Sequence, residues 1–325
     1  MTTQHDRTIQ PEGEVYDLGY THYDGPRGGR GTAFMAMYAG GIRTVVGLGR
    51  GPGAKVTPAV FALLALGPAL FIVALSGVFR SLGADPEDIE LFGLTDYLAW
   101  TFFILALFAA VVAPALLSPD RRYSVIALYA VRPLKSHDYL VARWLAFFTF
   151  ILAFLLAPQT LLYLAFSVSA SNPWDYQQEN WPDILAILGM SFGIAVFWTG
   201  IAMAAASLTT RRAFASAGAI GFVLLVTAVG GFGWAILSSG EEKVLVDTGK
   251  PAKLGDMPRF DVKDGHAAHY ARLLIIPHTA QQLAEWTFDE RDNFPVSPWY
   301  SVLTAGVIAG GAISVTTWRY RKLGA

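Results

Sequence analysis

Six stretches of the chain carry no Asp, Glu, Lys, Arg or His: residues 57–79, 97–117, 144–168, 184–207, 214–237 and 299–318. A helix needs about 20 mainly apolar residues to cross a bilayer, so each stretch predicts a span. The first follows a long polar segment and begins too late for a cleaved secretory signal, so it is expected to be a permanent span. Between the spans the pattern changes. Phe34, Tyr38, Ile42, Val45 and Val46 recur at helical spacing, with Arg43 and Arg50 off the stripe. That predicts an amphipathic helix over 33–48, either at the membrane interface or packed on the bundle's own end. Ser118, Pro119 and Asp120 read as a helix start, with Ser118 as cap and Pro119 in the first turn. A short helix is expected from Arg121 to Ala130, ended by Pro133. Residues 273–288 predict an amphipathic helix or re-entrant pair resting on the membrane surface, interrupted by Pro277.

The expected fold is an all-α polytopic membrane protein with six transmembrane helices. A polar tail (1–32) leads into the interfacial helix and linker (33–55). Spans one to five, with the short helix at 118–133, occupy 56–237. A region outside the membrane (238–298) lacks a strong apolar core pattern, and the sixth span and a basic tail close the chain (299–325).

Composition agrees. Of 325 residues, 54% are hydrophobic and 15% charged, against about 25% charged in ordinary globular chains; mean hydropathy is +0.42. The chain has no cysteine, which excludes thiol catalysis, cysteine-ligated zinc and iron–sulfur clusters. Its net charge of −1 provides no global attraction for nucleic acid.

Charge distribution orients the spans. Four segments predicted on one side carry sixteen Lys and Arg between them: the tail before the first span, the 2–3 and 4–5 loops, and the C-terminal tail. Across the membrane, the 1–2 loop has Arg80 against Asp85, Glu87, Asp88, Glu90 and Asp96, and the 3–4 loop has no basic residue. The positive-inside rule then places both termini in the cytoplasm; the expected location is a cell (inner or plasma) membrane, multi-pass.

Candidate chemistry is sparse. Residues 49–55 (GRGPGAK) superficially resemble a phosphate-binding loop, but Ala54 separates Gly53 from Lys55 and a span follows, so ATP binding by this chain is rejected. No zinc-protease pattern occurs. His266, His269 and His278 lie near Asp261 and Asp264, a conceivable metal site, but histidines in a polar loop are more often simply solvated; no metal is expected. Ion-coupled transporters usually hold ionisable groups at membrane depth, and these spans hold none. Thr101, Gln159, Thr160, Ser191 and Thr199 are among the few polar residues within them, suited to interhelical hydrogen bonds or to lining a path. Gly189 with Gly193 and Gly306 with Gly310, spaced by four, suit close helix packing, within one subunit or at a homodimer seam.

The segment 118–143 reads SPDRRYSVIALYAVRPLKSHDYLVAR. It resembles the linker between the second and third spans in the permease subunits of type-2 ABC exporters. There a charged start, a short helix, an Arg-Pro or similar break and an "(S/R)xxYLxxK/R" entry lead into the third span. The run GLGRGPGAKVTP ahead of the first span, the six-span plan and the larger region between spans five and six are similar to that family too. The long polar 238–298 region departs from it. The motif likeness covers about 45 residues.

The resemblance implies that Asp120, Arg121, Arg122 and Tyr123 begin a coupling helix, ended by Arg132 and Pro133, seated on a separate ATPase subunit. It implies that the helix bearing Phe34, Tyr38, Ile42 and Arg43 is a connecting helix touching the same ATPase. The chain would pair with itself or a second permease. It would bind no cofactor, ATP and Mg being held by the partner, and would not itself be an enzyme. The charge-free spans suit an amphiphilic or hydrophobic cargo. A non-transporting scaffold and a lipid-modifying membrane enzyme are the alternatives, the latter resting on Asp85, Glu87, Asp88 and Glu90 with His266 and His269.

Overall fold

The computed structural model describes residue 25 and residues 28–49, 51–82, 94–123, 134–241, 243–245, 260–262, 266–291 and 294–323. Six helices among these are long and apolar enough to cross a membrane, and the chain is a multi-pass, essentially all-α membrane protein. The spans are α2 (Pro52–Ser81), α3 (Leu94–Arg122), α4 (Ser136–Ser169), α6 (Trp181–Leu208), α7 (Arg212–Leu237) and α10 (Pro298–Leu323). α1 (Arg30–Val46) precedes them, and α5 (Pro173–Glu179) joins α4 to α6. Between α7 and α10 lie a two-stranded antiparallel ribbon, β1 (Lys243–Leu245) with β2 (Phe260–Val262), then α8 (His266–Arg272) and α9 (Ile276–Thr287).

Each span runs beyond its apolar block, because polar first and last turns keep helical geometry where they leave hydrocarbon. α4 starts two turns early: the Lys135 backbone N–H donates to Asp138 Oδ2 at 3.0 Å, closing a capping box. α5 is started by Asn172, whose side-chain oxygen accepts from the Trp174 N–H at 3.1 Å. α1 stops at Gly47, which adopts φ 76° and lets the Leu48 N–H reach back to the Arg43 carbonyl at 2.8 Å.

α6 is the centre of the bundle and packs on α3, α4, α7 and α10. α3 and α6 are mostly buried by protein, whereas α2, α7 and α10 keep most of their surface outward. The core holds an aromatic stack, with Phe108 lying 5.6 Å from Phe154 and 5.3 Å from Phe150, ring to ring. Phe61 of α2 meets Phe108 edge-on at 5.4 Å, tying the peripheral first span to that stack.

Two expectations are corrected here. Ser118 is not a helix cap: α3 runs unbroken through Pro114 and Pro119 to Arg122, and Ser118 is buried within it. A proline inside a span is tolerated where neighbouring helices brace the turn, and Asp120 and Arg121 are anchored to neighbouring elements just beyond it. Residues 124–133, with Arg132 and Pro133, lie outside the described residues, as do Asp85, Glu87, Asp88 and Glu90. Nor does Pro277 interrupt a surface helix. It occupies the first turn of α9, and α9 is not on the surface: it inserts among α3, α6, α7 and α10.

Candidate functional site

An even number of spans puts α1, the end of α3, the start of α4 and the C-terminus at one end of the bundle. Here the structure gathers most of the charge the sequence singled out. Asp120 Oδ2 accepts from Tyr139 Oη at 2.7 Å and from Arg143 Nη2 at 2.8 Å. The Arg143 guanidinium lies 5.6 Å over the Tyr139 ring, which stacks on Tyr320 of α10 at 5.9 Å. Arg121 Nη1 donates to the Ser207 carbonyl at the end of α6. Four spans are thereby tied together. Buried charges persist only with such partners, and the side chains of Asp120 and Arg143 are only 17% and 10% exposed.

The next two residues behave differently. Arg122 and Tyr123 are exposed, with the Arg122 guanidinium 5.9 Å from the Tyr123 ring. Of the residues assigned by resemblance to partner contact, Asp120 and Arg121 hold the bundle itself, while Arg122 and Tyr123 face outward.

α1 crosses the base of α4 and also touches α3 and α2. Its buried line is Met37, Gly41 and Val45, flanked by the half-buried Phe34, Tyr38 and Ile42, with Arg43 exposed. Tyr38 Oη donates to Thr149 Oγ1 at 3.1 Å. Gly41 is required by proximity: a β-carbon there would stand 2.6 Å from Ala146 Cβ. At the helix start, Arg30 donates from Nε and Nη2 to the two oxygens of Asp138 at 2.8 and 2.7 Å. That two-pronged pair raises the Arg30 guanidinium above its ordinary pKa. Sequence reasoning missed Arg30 and Asp138, which lie 108 residues apart.

At the opposite end, α8 and α9, joined by a short turn, both pack on α7. Gly230 admits their turn, since a β-carbon there would fall 2.8 Å from the Ile275 nitrogen. Thr279 Oγ1 donates to the Leu273 carbonyl at 2.7 Å. Gln282 Nε2 donates to the Val296 carbonyl at 3.0 Å, and its Oε1 accepts from Ser301 Oγ at 2.8 Å. His269 and His278 share one pocket; of His266 only the backbone is described. Among the described residues no group of three metal-ligating side chains converges.

Gly189, Gly193, Gly306 and Gly310 face outward: among the described residues nothing lies within 4 Å of a β-carbon placed on them. They do not pack the helices of this chain together. Gly200 does, with its β-carbon position 3.4 Å from the Ala309 carbonyl oxygen across α6 and α10. Gln159 and Ser191 are fully buried, and among the described residues neither side chain has a hydrogen-bond partner.

Compared with known proteins, the chain matches no family model and no curated sequence.

Proposed function

We propose that the chain is the membrane-spanning permease subunit of an ATP-driven exporter of the type-2 ABC kind, lying in a cell membrane with both termini cytoplasmic. One juxtaposition carries the reading. α1 packs against both α3 and α4 at the end where α3 finishes in the outward-facing Arg122 and Tyr123. α1 and the start of the segment that the resemblance assigns to an ATPase therefore lie at the same end of the bundle, as a shared docking face would require. Asp120, Arg121, Tyr139 and Arg143 lie directly behind that face and lock α3, α4 and α6 together. A push on the face is thus delivered to three spans as a rigid body. ATP and Mg belong to the partner, so this chain does no chemistry on ATP.

The outward glycines Gly189, Gly193, Gly306 and Gly310 suit the seam with a second permease, because small residues let helix backbones approach closely. The charge-free spans suit an amphiphilic or hydrophobic cargo. Affinity purification of the full chain from its native membrane tests the reading. The expected result is an ATP-binding subunit that is lost on Arg122→Glu while the bundle stays folded. Recovery of no ATPase in gentle detergent would overturn it in favour of a non-transporting scaffold.

A further inference from the structure

The first span carries a break that its neighbour fills. Pro68 lies inside α2, directly after Gly67. Proline has no N–H, so the carbonyl four residues back, on Leu64, loses its helical donor, and the ring crowds that turn. α3 supplies replacements. Trp100 Nε1 donates to the Leu64 carbonyl at 3.5 Å, and Tyr97 Oη donates to the carbonyl of Ala65, the next residue. Both donors come from one turn of α3, and they sit at the mouth of the break. They therefore fix the angle at which α2 leaves it.

Packing changes at the same place. Ala65 and Ala69 are buried, but beyond Ala69 no described residue of α2 is. Sixteen residues of the helix, 66–81, still follow Ala65, about 24 Å of helix, whereas α3 begins at Leu94, one turn before Tyr97. The outer stretch of α2 thus runs on with little burial to hold it. Segments with few buried apolar contacts are those that move apart from a core, and a proline inside a helix supplies the bend.

The stretch lies over something. Tyr97, Tyr163 and Ile187, from α3, α4 and α6, form a buried cluster with Ala69, and Ile72 and Val73 of α2 pack against it. Tyr163 is 4% exposed, yet its hydroxyl has no hydrogen-bond partner among the described residues. A hydroxyl stranded in this way is penalised. Movement of the covering segment would relieve that penalty by admitting water or another polar group.

We infer that residues 69–81 form a flap, hinged at Gly67 and Pro68 and held by Tyr97 and Trp100 at the angle that closes it over the α3–α4–α6 cluster. Two conformations share the break: the closed one, and a minor open one in which the outer part of α2 swings away and the cluster is uncovered. The inference does not rest on the transporter reading.

The chain has no cysteine, so introduced thiols carry spin labels without background. Val78→Cys on α2 with Trp174→Cys on α5 reports the flap, and Phe222→Cys on α7 with Trp174→Cys reports the bundle; all three positions are exposed. Pulsed electron–electron distance measurements on the full chain in lipid nanodiscs should show one dominant flap distance and a minor second one. Tyr97→Phe, which deletes only the hydroxyl, should raise the second population about fivefold, the worth of one hydrogen bond. Trp100→Phe should raise it less, because its contact is longer. In a Pro68→Ala background the Leu64 carbonyl regains a helical donor, and Tyr97→Phe should then change little. The Phe222–Trp174 distance should stay fixed throughout. Should Tyr97→Phe fail to fold, Pro68→Ala alone keeps the test open: it should deplete the second population, and an unchanged population would overturn the hinge. An unmoved flap distance in a folded Tyr97→Phe, Trp100→Phe double variant would also overturn it. So would equal broadening of both label pairs, the mark of a loosened bundle, or an effect of Tyr97→Phe undiminished by Pro68→Ala.

Discussion

Arg143 donates to Asp120 across 2.8 Å, joining the base of α4 to the last turn of α3. Both side chains are largely enclosed, and Tyr139 donates to the same carboxylate oxygen. Removing one member leaves the other charge with little water and a lost partner. Arg143→Leu should therefore destabilise the bundle by about 3 kcal/mol, whereas Asp120→Leu combined with Arg143→Met should recover much of the loss. Thermal unfolding of the purified variants in one detergent checks this. A double variant as unstable as the two single losses added together would refute the pairing.

The docking of α1 gives a cleaner steric test. A β-carbon on Gly41 meets Ala146 Cβ at 2.6 Å, closer than two carbons approach. Gly41→Ala should lift α1 from α4 at a cost of about 1–3 kcal/mol, the usual range for overpacking. Ala146→Gly in the same chain should reverse it. Limited proteolysis after Arg43, which is exposed in the last turn of α1, reports the detachment. The Arg30–Asp138 pair should matter less here, since the Arg30 side chain is 51% exposed and such pairs contribute up to about 1 kcal/mol.

The six spans were legible because a span declares itself within about 20 consecutive residues. What joins spans was less so, since it depends on which residue of one helix meets which of another. Gly189, Gly193, Gly306 and Gly310 have the four-residue spacing of a packing motif, yet among the described residues the helical glycines that meet another element are Gly41, Gly200, Gly230 and Gly233, which stand outside that pattern. Pro119 suggested a helix start by local rules; the contacts of Asp120 and Arg121 with distant helices carry α3 through it. The pattern over 273–288 suits an amphipathic helix or re-entrant pair resting on the membrane surface, whereas α9 inserts among α3, α6, α7 and α10. Its polar Thr279 and Gln282 are instead buried, satisfied by the Leu273 and Val296 carbonyls and Ser301, which no local pattern reveals.

Gln282 lets that insertion be probed directly. Gln282→Leu keeps the volume but leaves the Val296 carbonyl and Ser301 hydroxyl without these partners. A cost of about 1–3 kcal/mol is expected, the usual penalty for polar groups stranded in a buried site. Because the lost contacts tie α9 to α10, hydrogen exchange should quicken across 276–287 and leave α1 untouched. A uniform increase over the whole chain would contradict the local role.

Orientation has a direct chemical test, because the chain contains no cysteine. Single replacements Tyr123→Cys and Trp174→Cys place thiols at exposed positions at opposite ends of the bundle. Under the proposed orientation, a membrane-impermeant maleimide added to intact cells should label the Trp174 variant. The Tyr123 variant should label only after the cells are opened. The reverse pattern would place both termini outside and remove the docking face from any cytoplasmic ATPase.

Arg121 and Arg122 are neighbours with opposite surroundings, and that contrast separates a structural role from a coupling one. Arg121 reaches the Ser207 carbonyl at the foot of α6 and also the Thr209 carbonyl at 3.5 Å, so it caps the end of a central span. A carboxylate there would face carbonyl oxygens and be repelled by them. Arg121→Glu should therefore lower the melting temperature and the yield of folded protein whether or not an ATPase is present. Arg122 is exposed, with the Tyr123 ring as its described contact. Arg122→Glu should leave the melting temperature of the isolated chain within about 0.5 kcal/mol of wild type in stability terms. It should nonetheless reverse the charge presented to a partner and weaken association there, most strongly at low salt. Melting curves of the isolated chain beside pull-downs at two salt concentrations distinguish the cases. If both variants lost the partner only in proportion to their loss of folded protein, the positive charge at the end of α3 would serve orientation and packing alone.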